Sequence, residues 1–293
     1  METDKLLALL SRFITQNGPK EDEYEDLTFI MNELALKISS QAICKDDIQG
    51  FKEACDFLKD DTSIMGHILS KPYGYAGDFH IIDRIYTNDY SAKFILWDKF
   101  SLSNSAAQAV RNRKNYFKEK MSNGLSRGGA LLNIASGPAR DLFELYGEHP
   151  ELKIFTTCVD MDEKAIAYAM NLNKRYMHKI KFINENIFKF NSTEKYDIIW
   201  SAGLFDYFDD DEFVCLIEKF RLWLNHSGEI IVGNFNGNHN PSRAYMEIFG
   251  EWHLNHRTEE QLITLAKRAG YSYKNISIEH EPENVNLFLH LKV

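Results

Sequence analysis

Residues 130–160 read ALLNIASGPARDLFELYGEHPELKIFTTCVD. Leu131-Leu132-Asn133-Ile134-Ala135 has the continuous apolar character of a buried parallel strand, and Ser136-Gly137-Pro138-Ala139 is turn chemistry. A second apolar run from Lys153 to Val159 ends on Asp160. Strand, turn, helix and strand in this order form half of a nucleotide-binding fold.

The residue types carry the chemistry. Gly137 has no Cβ, so a ligand can approach the backbone where the strand stops, and Pro138 presets φ for the first helical turn without losing a useful donor. A carboxylate at the end of the second strand, Asp160, lies on the same sheet edge and can accept hydrogen bonds from both hydroxyls of a ribose. The turn lacks the further glycines that let a pyrophosphate lie against the backbone, so NAD and FAD are disfavoured. Taken alone, the pattern also fits a structural left-handed turn with no ligand.

Composition narrows the class. A hydrophobic content of 44% over 293 residues can fill a real core, in one large or two ordinary domains. No apolar run approaches the roughly 20 residues of a membrane span, and Met1-Glu2-Thr3-Asp4-Lys5 has no signal-peptide character. A cytoplasmic protein is expected. Cys44, Cys55, Cys158 and Cys215 show no metal or disulfide spacing and read as buried thiols. Scattered histidines such as His67, His80 and His149 likewise show no metal-ligand spacing. The net charge of −9, without a basic run, argues against nucleic acid and for a small-molecule substrate; a homodimer is left open.

Amphipathic helices fill the chain up to about Gly124, with apolar faces such as Leu6, Leu10 and Phe13, then Leu27, Ile30, Met31 and Leu34. Asn17-Gly18-Pro19 breaks the first from the second, and Ser103 is the expected cap of a long helix running to Met121. Beyond Ser126-Arg127-Gly128-Gly129 strands and helices alternate, which divides the chain into a helical domain, 1–126, and an α/β domain, 127–293. Strands are expected at 130–135, 154–159, 180–184, 196–201, 229–233, 273–279 and 286–291, with helices at 140–146, 163–175, 210–224 and 258–269. The link Glu281-Pro282-Glu283-Asn284 is too short for a crossover helix, so the last two strands form an antiparallel hairpin.

Parallel strands closed by such a hairpin resemble the class I S-adenosylmethionine (SAM) methyltransferases, a Rossmann-like seven-stranded α/β fold, over about 130–293. Asn186 stands where that family usually has an Asp facing the adenine amine, and Tyr196-Asp197-Ile198-Ile199-Trp200 matches its fourth strand. Three further segments look like the bacterial hydroxypalmitate methyl ester, or extracellular factor, biosynthesis methyltransferases. They are Lys71-Pro72-Tyr73-Gly74-Tyr75-Ala76-Gly77-Asp78-Phe79, Ser201-Ala202-Gly203-Leu204-Phe205-Asp206-Tyr207, and Trp252-His253-Leu254 with Arg257. Those proteins also carry a helical extension ahead of the SAM domain.

The resemblance implies SAM as cofactor and S-adenosylhomocysteine as product. Its cofactor contacts would come from Ala135, Ser136, Gly137 and Pro138, from Asp160 and Met161, from Asn186 and Ile187, and from Ser201, Ala202 and Gly203. Tyr75, Gly77 and Asp78 would join them from a lid around 71–79, the bland alternative being a turn between helices. Asp162 is better read as a helix cap. Tyr75, Asp206, Tyr207 and His256 are the catalytic candidates, although Asp206 can instead cap the helix near Asp210 and His256 can be a surface side chain. Arg243, Trp252, His253 and Arg257 are candidates for substrate contact, an Arg suiting a carboxylate and Trp252 an apolar tunnel. No metal is called for.

The expected reaction is O-methylation of the carboxylate of a small apolar acid, which needs no base. Methylation of a hydroxyl or amine, which does, and a SAM-binding regulator without turnover are the alternatives.

Overall fold

The computed structural model describes residues 3–43 and 45–293; Cys44 and the opening Met1-Glu2 of the leader reading lie outside them. Helices come first: α1 (Thr3–Thr15), α2 (Tyr24–Ser39), α3 (Lys45–Glu53), α4 (Ile64–Ser70), α5 (Phe79–Thr87), α6 (Ile95–Ser103) and α7 (Ser105–Gly124). There follow β1 (Gly129–Ile134), α8 (Arg140–Glu148), β2 (Ile154–Asp160), α9 (Glu163–Leu172), β3 (Ile180–Asn184) and β4 (Tyr196–Ser201). The chain ends with α10 (Asp210–Arg221), β5 (Leu224–Phe235), α11 (Arg243–Gly250), α12 (Glu259–Arg268), β6 (Ile276–His280) and β7 (Asn286–Lys292).

Contacts divide the chain into two units. One takes the chain up to Gln108 together with Asn240–His253, and the other Ala109–His239 with Leu254–Val293.

In the helical unit the expected apolar faces are buried, Leu6, Leu10 and Phe13 on α1 and Leu27, Ile30, Met31 and Leu34 on α2. Gly18 separates them at φ +122°, and a Cβ there would fall 2.7 Å from that of Leu96, so the break needs glycine for two reasons. Asn104, not Ser103, caps α7: its Oδ1 accepts the Ala107 N–H at 3.0 Å, whereas Ser103 Oγ donates back to the Phe100 carbonyl. Helix α11, absent from the expected path, joins this unit through Tyr245, whose hydroxyl bonds Ser101 at 2.9 Å, and Phe249, which packs edge-on against Phe57.

The other unit is a seven-stranded sheet in the order β3-β2-β1-β4-β5-β7-β6, with β1 to β5 parallel and β7 antiparallel to both neighbours. The expected α/β fold with its terminal hairpin is what forms. Successive residues of a strand point to opposite faces, so Leu131 and Leu132 feed different cores. Leu131 packs with Cys158, Trp200 and Phe288 under α7 and α8, while Leu132 packs with Ile199 and Val232 under α10 and α12.

Several boundaries differ from expectation. The α10 helix stops at Arg221, and β5 starts at Leu224, because buried Trp223 and Leu224 bring the chain back to pair with Tyr196 before a register shift around Ser227 and Gly228. The α9 helix ends at Leu172, and Tyr273–Asn275 is a turn ahead of β6. Cys55 and Cys158 are buried as expected, but Cys215 is exposed: it lies on the outer side of α10, whose Phe213, Leu216, Ile217 and Phe220 face the core. No helix among the described residues is long and apolar enough to cross a membrane.

Candidate active site

At the carboxyl edge of the sheet the order reverses between β1 and β4, the place where open α/β sheets leave a crevice for ligands. As the chain leaves β1 it alternates through three left-handed residues, Ala135 (φ +52°), Gly137 (φ +51°) and Ala139 (φ +48°). For each alanine that conformation costs about 1–2 kcal/mol, strain of the kind concentrated at functional sites. A Cβ built on Gly137 would meet no protein atom within 4 Å, so the turn faces open space.

Asp160 is locked to this turn. Its Oδ2 accepts the Gly137 N–H at 2.9 Å and its Oδ1 the Asp162 N–H at 2.9 Å, leaving each oxygen a further acceptor direction. Burial pushes its carboxyl above the usual range, against the pull of those two amides. Asp162 caps α9, accepting from Lys164 and Ala165, as the bland reading has it. Beside the acid, the Met161 side chain is 71% exposed. Beyond β3, Asn186 Oδ1 accepts the Phe188 N–H at 2.9 Å, and Ile187 is buried.

Polar groups collect near the ends of β1 and β4. Asn133 Nδ2 and Ser201 Oγ are buried with no partner among the described residues. Arg113, 6% exposed on α7, donates from Nη1 to the Ala202 carbonyl at 2.7 Å and lies beside Gly203, yet its Nε is buried without a partner. Ser136 is buried at the turn, while Gly203 is exposed. Native interiors leave few such groups unpaired, and a buried unpaired donor costs about 1–3 kcal/mol. Two acids flank the guanidinium electrostatically. Asp141, in the first turn of α8, and Asp206, after β4, are each pushed up to about 6 by burial, with Arg113 pulling both back down.

Asp206 does not cap α10; Asp209 does, accepting from Asp211 and Glu212. Instead Asp206 Oδ1 accepts the Phe235 N–H at 2.7 Å and its carbonyl accepts the Asn255 N–H, tying the end of β5 to the segment before α12. Tyr207 is 41% exposed. Arg257 gives all five N–H groups to the protein: Phe205 O, Phe208 O, Asn234 Oδ1, and Asp210 Oδ1 twice. That is the bonding of a structural clamp, with no donor left for a substrate. His256 is half-buried, with Nδ1 3.0 Å from the Leu254 carbonyl and its ring beside Phe235.

The structure thus gathers Ala135 to Pro138, Asp160, Met161, Asn186, Ile187, Ser201 to Gly203 and Asp206 along one sheet edge. Tyr75, Gly77, Asp78, Arg243, Trp252 and His253 belong to the helical unit. There Asp78 is fully buried, capping α5 through His80 and Ile81 and bonding His67, while Arg243 pairs with Glu247 on the surface of α11 and Trp252 is buried. Sequence reasoning missed Arg113 and Asp141. Asp141 directly follows the glycine turn and could have been found by position; Arg113 sits in an ordinary amphipathic helix and carries no local signal.

Residues 131–228 match the family model described as a methyltransferase domain. No curated protein sequence matches the chain. Among solved structures, a possible exported protein from Bordetella parapertussis is 18% identical, with a TM-score of 0.65, 78% of this chain and 85% of that one covered. Magnesium protoporphyrin IX methyltransferase (ChlM) from Synechocystis PCC 6803 aligns in its SAM-bound form at 10% identity and TM-score 0.52, covering 78% of this chain and 97% of that one. Its form with bound SAH aligns at 11% and 0.54, covering 78% and 99%. At these identities the likeness is one of fold, and that fold is the class I methyltransferase fold.

Proposed function

We propose that the chain is a SAM-dependent methyltransferase whose acceptor is the carboxylate of a small apolar acid, fatty or aromatic. The methyltransferase class rests on the matched domain and the strand order; the acceptor rests on the resemblance of three segments to the hydroxypalmitate methyl ester family. One observation carries the cofactor reading: an acid at the end of β2 clasped to a bare glycine turn at the end of β1, with unpaired buried donors alongside.

The residues present fit SAM. Asp160 offers its remaining acceptor directions to the ribose hydroxyls, and Gly137 lets the nucleoside approach the backbone. Met161 and Ile187 give the adenine apolar contacts. Asn186, its Oδ1 taken by the Phe188 N–H, would have its amide N–H groups to offer a ring nitrogen of the adenine. Arg113 answers the carboxylate of the amino-acid tail. SAM supplies, when bound, an electrophilic methyl group on a sulfonium.

The protein's own work is then approach geometry and exclusion of water. A carboxylate acceptor is ionised at neutral pH and gives up no proton. A hydroxyl or amine acceptor would lose one, and the Asp206 carboxyl, pushed up to about 6, is the observation favouring that second reading.

The test is incubation with methyl-labelled SAM and a panel of fatty acids, aromatic acids, phenols and amines, with product identified by mass spectrometry. A base-labile methyl ester supports the reading; label on a phenol or amine alone replaces the acceptor. SAM binding with no transfer to any acceptor favours a regulator.

A further inference from the structure

The helical unit holds a cavity of about 430 Å³ that the methyltransferase reading does not use. It is built from α4, the turn after it, α5 and the segment ahead of α6, with His67, Tyr73, His80 and Arg84 among its lining. Two buried acids hold the basic groups in place and are themselves fully engaged. Asp78 accepts the His80 and Ile81 N–H groups through Oδ1, while His67 Nε2 lies 2.8 Å from its Oδ2. Asp98 accepts from Ile64 and Ser91 at 2.8 Å and from Arg84 Nη2 at 3.4 Å.

What remains is a donor set. Arg84 spends Nε on the Asp89 carbonyl and Nη2 on the Thr62 carbonyl and Asp98, and Nη1 has no protein partner among the described residues. His67 has its second ring nitrogen free of protein bonds, and its ring stacks on that of His80 at 5.1 Å and 23°. His80 Nδ1 is buried without a partner among the described residues. Tyr73 tilts against both imidazoles and adds an aromatic wall. Asp61 and Asp89, the acids that line the cavity itself, are exposed to water; Asp89 Oδ2 lies 4.0 Å from Arg84 Nε, and solvent screens that contact.

Cation binding does not suit this arrangement, because both buried carboxylates are occupied by N–H donors. We propose that the helical unit binds a small oxyanion, a carboxylate or phosphate group, between Arg84, His67 and His80. An anion there would satisfy the guanidinium fork and the orphaned ring nitrogen together. The site lies within one unit and stands apart from the methyltransferase reading.

Protonation provides the signature. Burial depresses the His80 imidazole, as do His67 and Arg84, against Asp78 and Asp83; Tyr73 and Phe79 are its other ring neighbours. A bound anion favours the charged ring, so binding takes up a proton and tightens as pH falls toward 6.

The test uses the full chain without SAM. Benzoate, octanoate and inorganic phosphate are titrated separately at pH 6 and pH 8, against chloride at matched ionic strength. Imidazole resonances are followed by NMR, and heats are measured in buffers of different ionisation enthalpy. The expected result is saturable movement of the His67 and His80 signals with a carboxylate or phosphate but not chloride, with proton uptake. His80→Gln should abolish the uptake and weaken binding about tenfold or more, with the fold verified by circular dichroism. Saturation by carboxylates alone, or by phosphate alone, identifies the source of the oxyanion. If neither moves the imidazole signals saturably at pH 6 in the wild-type chain, the proposal is overturned.

Discussion

The Gly137 amide and the Asp160 carboxylate are bonded to each other across the carboxyl edge of the sheet, N to Oδ2 at 2.9 Å. The turn that would admit a nucleoside and the acid that would grip its sugar are therefore one preorganised unit, each orienting the other before a ligand arrives.

Asp160→Ala should weaken binding of SAM by roughly 1.5–3 kcal/mol, the range for charge-assisted hydrogen bonds. Calorimetric titration of wild type and variant measures it. Unchanged affinity would take the acid out of the site.

Gly137→Ala separates ligand access from stability. The added methyl meets no protein atom but sits at φ +51°, so unfolding free energy should fall by about 1 kcal/mol while SAM affinity drops roughly tenfold or more. A melting curve beside a binding isotherm reads both. Equal, small effects would mean that the open side of the turn is not where the ligand lies.

Arg113→Met should weaken both the fold and SAM binding. It strips the Ala202 carbonyl of its Nη1 donor and removes the positive charge facing Asp141 and Asp206, so stability should fall by about 1–3 kcal/mol and SAM binding should weaken by about 1.5–3 kcal/mol. Strong destabilisation with intact binding would assign Arg113 to the scaffold.

Asp206 gives a pH signature of stability. Its folded carboxyl is pushed up to about 6 from 3.8 by burial, so its favourable contribution is complete below pH 3.8 and is lost as pH rises through 6. Asp206→Asn, an approximate mimic of the neutral acid, should stabilise the protein at pH 7.5 by on the order of 1–3 kcal/mol and change little at pH 3.5. Denaturant melts at the two pH values test this, and a larger gain at the acid end would contradict it.

Much of this architecture was legible because buried parallel strands are short continuous apolar runs: β4 falls where its sequence places it, and the half-exposed edge strand β3 also keeps its expected bounds. The terminal hairpin followed from a link too short for a crossover. Long-range pairing was not legible. Nothing near Arg113 announces the Ala202 carbonyl it reaches, and the His67–Asp78 pair depends on a turn that brings α4 against the start of α5. Arg257 shows the converse: a candidate for substrate by residue type, it is consumed by five bonds to backbone and side-chain oxygens that only the fold assembles. The start of β5 was hidden by Asn225-His226-Ser227-Gly228, which has the composition of a turn but lies within the strand.

The most direct measurement is a crystal structure of the full chain grown with S-adenosylhomocysteine. The account predicts the ribose hydroxyls within hydrogen-bond distance of Asp160, the nucleoside against Gly137, and the amino-acid carboxylate on Arg113. A nucleoside bound away from the carboxyl edge of β1 and β2, or an Asp160 that touches no part of it, would contradict the account.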